Sequence, residues 1–262
     1  QWEERIEEHT RYPSEWEVQT YQYLTHGDNL DEYQGENAPD MIVFDEAHIV
    51  PADTFSKLAM IDATYRLGLS ASPYREDGRE EYIFSLTGVP VGVDWQDLAA
   101  HGVVDYPEVW VYLYTTGRQR KADIKELAAN KPGQGLIYCD SLEEGEQLAD
   151  ELDVPFVNGE TPPDERLETI RENKVVIISR VGDEGLSLSN IDWTIEYDYL
   201  GQSRRQEIQR AGRLMHGDHD GDDSEFNGQH ILMMTDDEAE KFGDRLWSLE
   251  EKGIEVRYER RG

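Results

Sequence analysis

Met41-Ile42-Val43-Phe44-Asp45-Glu46-Ala47-His48 decides the fold. Four apolar residues are too few for a helix and read as a buried strand, and this one ends in two adjacent carboxylates. In α/β proteins the carboxyl edge of a sheet is where ligands bind. There Asp45 can hold Mg²⁺ through water, and Glu46 can orient or deprotonate an attacking water. The competing reading is a solvated acidic loop, a serious one where 57 of 262 residues are acidic. The apolar strand before the pair, with small Ala47 and then His48 after it, argues for a built site.

Working outward, short apolar runs alternate with amphipathic stretches, which is an α/β pattern. Strands are predicted over 65–70, 108–114, 135–139, 175–179, 193–197 and 230–234, with a last one over 254–258. Helices are predicted over 52–60, 142–152 and 236–252. Residues 89–107 read as a Gly- and Pro-punctuated connection. The chain thus divides into two α/β units, 1–100 and 101–262, the first incomplete. No solenoid-type repeat is present.

Composition bounds the function. Acidic residues outnumber the 25 basic ones to give a formal charge of -32, and the basic residues comprise 18 Arg and 7 Lys. Such a charge repels nucleic acid unless local sites oppose it. The acid is spread along the whole chain and Lys is scarce, which fits adaptation to high salt, where self-repulsion is screened. The alternative is an ordinary acidic protein with no nucleic-acid role. No run of apolar residues is long enough for a transmembrane helix, and no signal segment follows Gln1, so a cytoplasmic protein with no membrane partner is expected. Cys139 is the single cysteine. It excludes an intramolecular disulfide and a Cys-based zinc site, and in an apolar strand it reads as packing.

The carboxylate strand has companions. A second strand ends in Leu69-Ser70-Ala71-Ser72-Pro73, followed by Arg75-Glu76-Asp77. Gly182-Asp183-Glu184-Gly185-Leu186-Ser187 follows much later, and then Ser203-Arg204-Arg205-Gln206-Glu207-Ile208-Gln209-Arg210-Ala211-Gly212-Arg213. The last stretch gathers four of the 18 arginines, against the acidic background. Arg210 and Arg213 are three apart, on one face of a helix, and two such guanidiniums can reach a terminal phosphate. By contrast, Asp218-His219-Asp220-Gly221-Asp222-Asp223 only partly matches a calcium loop. It lacks glycine at the sixth position and has Gln229 where the bidentate Glu should be. It reads as solvated, as do His216, His219 and His230, which lack a zinc-like partner set.

In this order the motifs resemble those of superfamily 2 helicases: a DEAH box as motif II, Ser-Ala-Ser as motif III, Gly-Asp-Glu-Gly as motif V and Gln-Arg-x-Gly-Arg as motif VI. Within that superfamily the chain is most similar to the XPB family of DNA repair and transcription helicases. Arg75-Glu76-Asp77, Ser-Arg-Arg-Gln-Glu before motif VI, and the strand, helix and Gly-Ile-Glu-Val tail carry that likeness, which covers about residue 15 to the end. Val18-Gln19-Thr20-Tyr21-Gln22 resembles the upstream motif that touches the DNA backbone. The resemblance implies two RecA-like, P-loop NTPase-type parallel-sheet domains, ATP and Mg²⁺ as cofactors, and DNA as substrate. A nuclease or a transcription or repair factor is the implied protein partner.

The same resemblance implies roles. Asp45 and Glu46 carry Mg²⁺ and activate water, and His48 couples the nucleotide site to the second domain. Ser70 and Ser72 link hydrolysis to strand movement. Arg213 is the arginine finger, with Gln209 and Arg210 at the same cleft and Gly182, Asp183 and Glu184 beside the nucleotide. Arg75, Glu76 and Asp77 lie at the duplex junction, while Thr20, Asn158, Gly159 and Ser179 follow the DNA.

Departures limit the resemblance. The family's phosphate loop, G-x-x-x-x-G-K-[ST], is not matched, since no Gly-Lys dipeptide occurs in the sequence. The expectation is a fragment that begins after that loop and is inactive alone. The family's last motif VI arginine is replaced by His216 and its motif V aspartate by Ser187. Only 20 residues separate Tyr114 from Gly135, leaving no room for the thumb-like insertion. Alternatives are the motor of a restriction system or a viral helicase, or a non-catalytic DNA- or protein-binding module that keeps the fold.

Overall fold

The computed structural model of the chain describes residues 2–70, 78–182, 191–199, 204–215 and 228–261, without the side chains at 80, 204 and 205. Two compact units divide at Gly92 and Val93. The fold is α/β with parallel sheets, as expected.

In the first unit, β1 (Met41–Phe44) and β2 (Tyr65–Gly68) pair in parallel, Met41 opposite Tyr65 and Phe44 opposite Gly68. Helices α1 (Trp2–His9), α2 (Tyr21–Thr25) and α3 (Glu80–Thr87) accompany them. Leu24, Phe44, Val50, Leu58, Ile61 and Ile83 form the core. Gly68 is required by packing: a Cβ there would stand 2.9 Å from the Ala47 Cβ and 3.0 Å from the Thr87 side chain. That close approach seats the turn after β1 against β2.

The helix expected over 52–60 does not form. Turns and a 3₁₀ segment, Ser56–Met60, take its place. Asp53, Thr54 and Ser56 compete for backbone hydrogen bonds, and the Ser56 hydroxyl donates to the Asp53 carbonyl at 3.0 Å. The tighter path still buries Leu58 and Ile61.

The second unit opens with α4 (Trp95–Ala100), inside the stretch read as a bare connection. Trp95 packs on the core, so burial of one aromatic ring outweighs the surrounding Gly and Pro. Seven strands follow: β3 (Glu108–Tyr114), β4 (Gly135–Tyr138), β5 (Phe156–Val157), β6 (Val175–Ile178), β7 (Trp193–Glu196), β8 (Gln229–Thr235) and β9 (Val256–Arg260). Their order is β5-β6-β4-β7-β8-β3-β9, every pair parallel. Connecting helices are α5 (Gly117–Asn130), α6 (Leu142–Leu152), α7 (Pro163–Glu172), α8 (Arg204–Gly212), α9 (Asp236–Phe242) and α10 (Trp247–Glu251).

Strands β4, β6 and β7 are buried throughout, which is why they read as unbroken apolar runs rather than alternating ones. Ile137, Ile177 and Ile195 pack on one face with Ile124 and Leu148. Leu136, Val176 and Ile178 pack on the other with Ile170 and Leu214.

The tail corrects two expectations. The helix over 236–252 is broken by a 3₁₀ turn at Gly243–Arg245, where glycine weakens the helix and the bend buries Leu246 and Leu249. The final strand starts later than expected. Gly253, at φ 86, turns the chain, and Ile254 is spent on the core before β9 begins.

Candidate functional site

In the first unit the DEAH turn grows directly from β1. Glu46 adopts the left-handed conformation, φ 49 and ψ 50, which turns the chain sharply at the sheet's carboxyl edge. The Ala47 N–H donates to the Leu69 carbonyl at 2.8 Å, fastening that turn to the end of β2.

The turn buries His48, 2% exposed. Its Nδ1 lies 3.1 Å from Glu46 Oε2 and 2.9 Å from Ser70 Oγ. One imidazole nitrogen therefore sits between the second carboxylate and the first serine of Ser-Ala-Ser.

Asp45 is exposed. Its Oδ2 accepts from the Trp2 indole N–H at 2.8 Å, and its Oδ1 accepts from the Glu46 N–H at 3.0 Å. The Tyr21 hydroxyl donates to the Asp45 carbonyl. Burial first, then the charges of Asp45 and Glu46, push the Tyr21 phenol upward, so it stays a donor. Thr20 caps α2, accepting the Tyr23 N–H at 3.1 Å, and remains exposed.

In the second unit the polar groups again gather at the carboxyl edge. Asp140 follows β4, Ser179 follows β6, Asn158 follows β5, and Glu196 ends β7 with Asp198 just beyond. Asp198 accepts the N–H groups of Asp140 and Ser141, each at 2.7 Å, and so shapes the loop leading into α6. Burial raises the Asp198 carboxyl above its ordinary range, opposed by those two backbone donors.

Arg210, on α8, is fully buried. Its guanidinium reaches Asp140 Oδ1 at 3.1 Å and Glu196 Oε2 at 3.3 Å, and lies 4.2 Å from the centre of the Tyr138 ring. This places the arginine inside the unit, tying α8 to the ends of β4 and β7. A buried group extends from it: His230 Nε2 lies 3.4 Å from Glu207 and 3.8 Å from Glu196, while its Nδ1 pairs with the Thr194 hydroxyl at 2.7 Å. The Tyr199 hydroxyl donates to Glu207 at 2.9 Å. Burial first, with Arg210 adding and Glu196 opposing, pushes His230 down to about 4, so the ring is neutral.

Arg213 lies just past the end of α8, so the two arginines do not share one exposed helix face as expected: Arg210 is buried, while Arg213 is partly buried and donates to the Gly182 carbonyl. Gly182 itself is crowded: a Cβ would stand 2.7 Å from Ile178 Cδ1. Gln209 is partly buried on the same helix. Asn158 accepts the Glu160 N–H at 2.9 Å through its side chain, and Gly159 is exposed. Ser179 is buried, so of these three residues Asn158 and Gly159 are the ones with surface to offer. Ser72, Arg75, Glu76, Asp77, Asp183 and Glu184, with Ser187, His216 and the acidic stretch 218–223, lie outside the described residues.

Asp140, Glu196 and Asp198 carry no motif that marks them in the sequence, and Glu207 lies in one without a role assigned to it. His230, expected with His216 and His219 to be solvated, is instead fully buried on β8 among these carboxylates. A signal existed for the first three, because each is a carboxylate at the end of an apolar run, as Asp45 is. Among the described residues no helix is long and apolar enough to cross a membrane.

Residues 126–246 match the ERCC3/RAD25/XPB C-terminal helicase family model, and residues 3–75 match that of the type III restriction enzyme res subunit. A Rad25 DNA 3'-5' helicase from Halobacterium salinarum is 36% identical over 208 residues, covering 67% of this chain and 34% of the relative. Its counterpart from Haloarcula marismortui is 37% identical over 204 residues, with 67% and 33% covered. The chain thus spans about a third of the length of these curated relatives. Among solved structures, S. cerevisiae Dbp5 bound to RNA and ADP BeF3 superposes with a TM-score of 0.70 at 16% identity, covering 93% of this chain and 65% of that one. At that identity the likeness speaks for a RecA-like helicase fold alone. The family match and the halophilic archaeal relatives together support the XPB/Rad25 family of superfamily 2 helicases for this chain.

Proposed function

We propose that the chain carries the hydrolytic carboxylates and the arginine finger of an XPB-type, ATP-driven DNA helicase or translocase. Repair or transcription in a salt-adapted cell is its setting, and a repair or transcription factor its protein partner. The observation that carries this reading is His48, whose Nδ1 lies within reach of both Glu46 and Ser70. A solvated acidic loop would have no reason to bury a histidine between its carboxylate and the next strand's serine.

The oxygen donors of Asp45 and Glu46, exposed or partly exposed at a sheet's carboxyl edge, suit a hard divalent cation. Bound there, Mg²⁺-ATP supplies the transferable phosphoryl group. Glu46 orients and deprotonates the attacking water. His48 senses that carboxylate and passes its state to Ser70, with Ser72 continuing the path. Arg213 stabilises charge as the finger, positioned by the buried Arg210 and flanked by Gln209, Gly182, Asp183 and Glu184. Thr20, Asn158 and Gly159 hold the DNA backbone, and Arg75, Glu76 and Asp77 stand at the duplex junction. Because the 262 residues contain no Gly-Lys dipeptide, the phosphate loop comes from outside them.

A second reading, the motor of a restriction system, is favoured by the match of residues 3–75 to the restriction-subunit model. Duplex cleavage by a co-purified nuclease partner distinguishes it from the first.

The test uses the chain joined to a phosphate-loop segment. Glu46→Gln should abolish ATP turnover and leave nucleotide binding intact, because it removes a base while keeping a hydrogen-bonding shape. His48→Ala should keep basal hydrolysis and lose its stimulation by DNA. A Glu46→Gln chain that retains most of its turnover rejects the assignment.

A further inference from the structure

The seven-stranded sheet ends in β9, whose partner on one side is β3 and whose other side carries no strand among the described residues. The ladder to β3 fixes which backbone groups are used. Arg261 donates its N–H to the Leu113 carbonyl at 2.9 Å, and Leu113 stands opposite Arg260. Along a strand the backbone groups of successive residues point to opposite sides, so 257, 259 and 261 bond to β3. The N–H and C=O groups of Val256, Tyr258 and Arg260 therefore face the open edge.

The side chains follow the same alternation. Glu255, Arg257, Glu259 and Arg261 share one face, with Arg257 5.6 Å from the Trp110 ring centre and Arg261 4.0 Å from that of Tyr112. Val256, Tyr258 and Arg260 share the other, where Tyr258 is 56% exposed. Charges on an edge strand normally discourage pairing. Within the chain Arg257 pairs with Glu255 and Glu108, and Arg261 with Glu259 and Asp123. The charges of the face alternate in sign, so the pattern is also self-complementary and a second copy competes for the same groups.

We propose that β9 is a self-pairing edge through which two copies of the chain join antiparallel, centred on Tyr258. Tyr258 then exchanges both backbone hydrogen bonds with Tyr258 of the second copy, and Val256 pairs with Arg260. On the charged face Arg257 meets Glu259 and Glu255 meets Arg261, each pair formed twice by the two-fold axis. The outward-facing residues restrict the register to steps of two. Sliding one step either way sets Arg257 against Arg257, or Glu259 against Glu259. The charge pattern selects the register that the backbone permits.

Each copy carries -32, so long-range repulsion opposes the dimer. At about 1 M KCl the Debye length is roughly 3 Å, which screens that repulsion while leaving contact pairs in place. A single strand pair is a small interface, and micromolar affinity is expected.

Sedimentation velocity on the 262-residue chain in about 1 M KCl, over roughly 1–100 μM to bracket that affinity, should show the 30.2 kDa mass doubling with concentration. Arg257→Glu alone and Glu259→Arg alone each place like charges opposite twice, and each should weaken self-association about tenfold or more. An equimolar mixture of the two should restore the dimer as a heterodimer, since each then supplies the other's opposite charges. Tyr258→Pro removes one outward N–H without touching the β3 ladder, and should give a monomer with an unchanged circular dichroism spectrum. A chain that stays monomeric throughout the range, or that pairs only with a foreign edge strand, overturns the proposal. So does a dimer untouched by these substitutions, or a mixture that fails to associate.

Discussion

Arg210→Met is the substitution whose cost follows most directly from the structure. It keeps the length and the apolar stem of the side chain and deletes the charge. In the native unit the guanidinium, Asp140 and Glu196 are all 0% exposed, with N–O distances of 3.1 and 3.3 Å. Asp140 keeps Arg180, 3.2 Å from its Oδ2, so Glu196 is the desolvated carboxylate that loses its guanidinium partner, a loss of about 3–5 kcal/mol. The stacking on Tyr138 adds up to roughly 1 kcal/mol. For a unit of this size, a loss of that order lowers the melting temperature by about 10 °C. Lys125→Met is the control, because Lys125 and Glu151 are 49% and 33% exposed, and a solvent-screened surface pair away from β9 should leave the exchange nearly unchanged. Native-state hydrogen exchange at the amides of β4, β6 and β7 reads the second unit alone, which matters because a two-unit chain need not unfold in one step. If Arg210→Met costs less than about 1 kcal/mol by that measure, the buried pairs hold the unit together far less than the geometry requires.

Three further outcomes are expected. His230, held near 4 in the fold against roughly 6.5 unfolded, accepts a proton more readily when unfolded. Stability should therefore be flat above about pH 6.5 and fall by up to about 3 kcal/mol towards pH 4, and His230→Gln should remove that slope in denaturant titrations. Gly68→Val should destabilise the first unit by about 1–3 kcal/mol and weaken the Ala47–Leu69 hydrogen bond, seen as faster exchange of the Ala47 amide. Raising KCl from about 0.2 to 2 M should raise the melting temperature by relieving self-repulsion, while DNA affinity falls with a shallow slope; a melting temperature that falls steadily contradicts the salt adaptation.

Much of this molecule is legible in its sequence because parallel strands buried on both faces are unbroken apolar runs. The bounds of Met41–Phe44, Glu108–Tyr114 and the helix Leu142–Leu152 are readable to the residue, although β1, expected to be buried, leaves Met41 exposed and only Phe44 fully buried. Reading failed where tertiary packing set the local structure. Trp95 holds a short helix in a stretch full of turn residues, Leu58 and Ile61 draw a polar segment into a 3₁₀ path, and Ile254 delays β9. At the site, the DEAH turn and the arginine helix announce themselves by motif. The distinction between Arg210 and Arg213 does not, because three residues of spacing cannot say which guanidinium is buried. Nor does the His230 group, whose members come from α8, β7 and β8 and meet only when the sheet is assembled.

DNA-stimulated ATP turnover tests the central claim most directly. The chain joined to a phosphate-loop segment should release phosphate at about 1 s⁻¹ or more when duplex DNA is present, and the 262 residues alone should not. Comparable turnover by the 262 residues alone, or joined-chain turnover indifferent to DNA, would contradict the account.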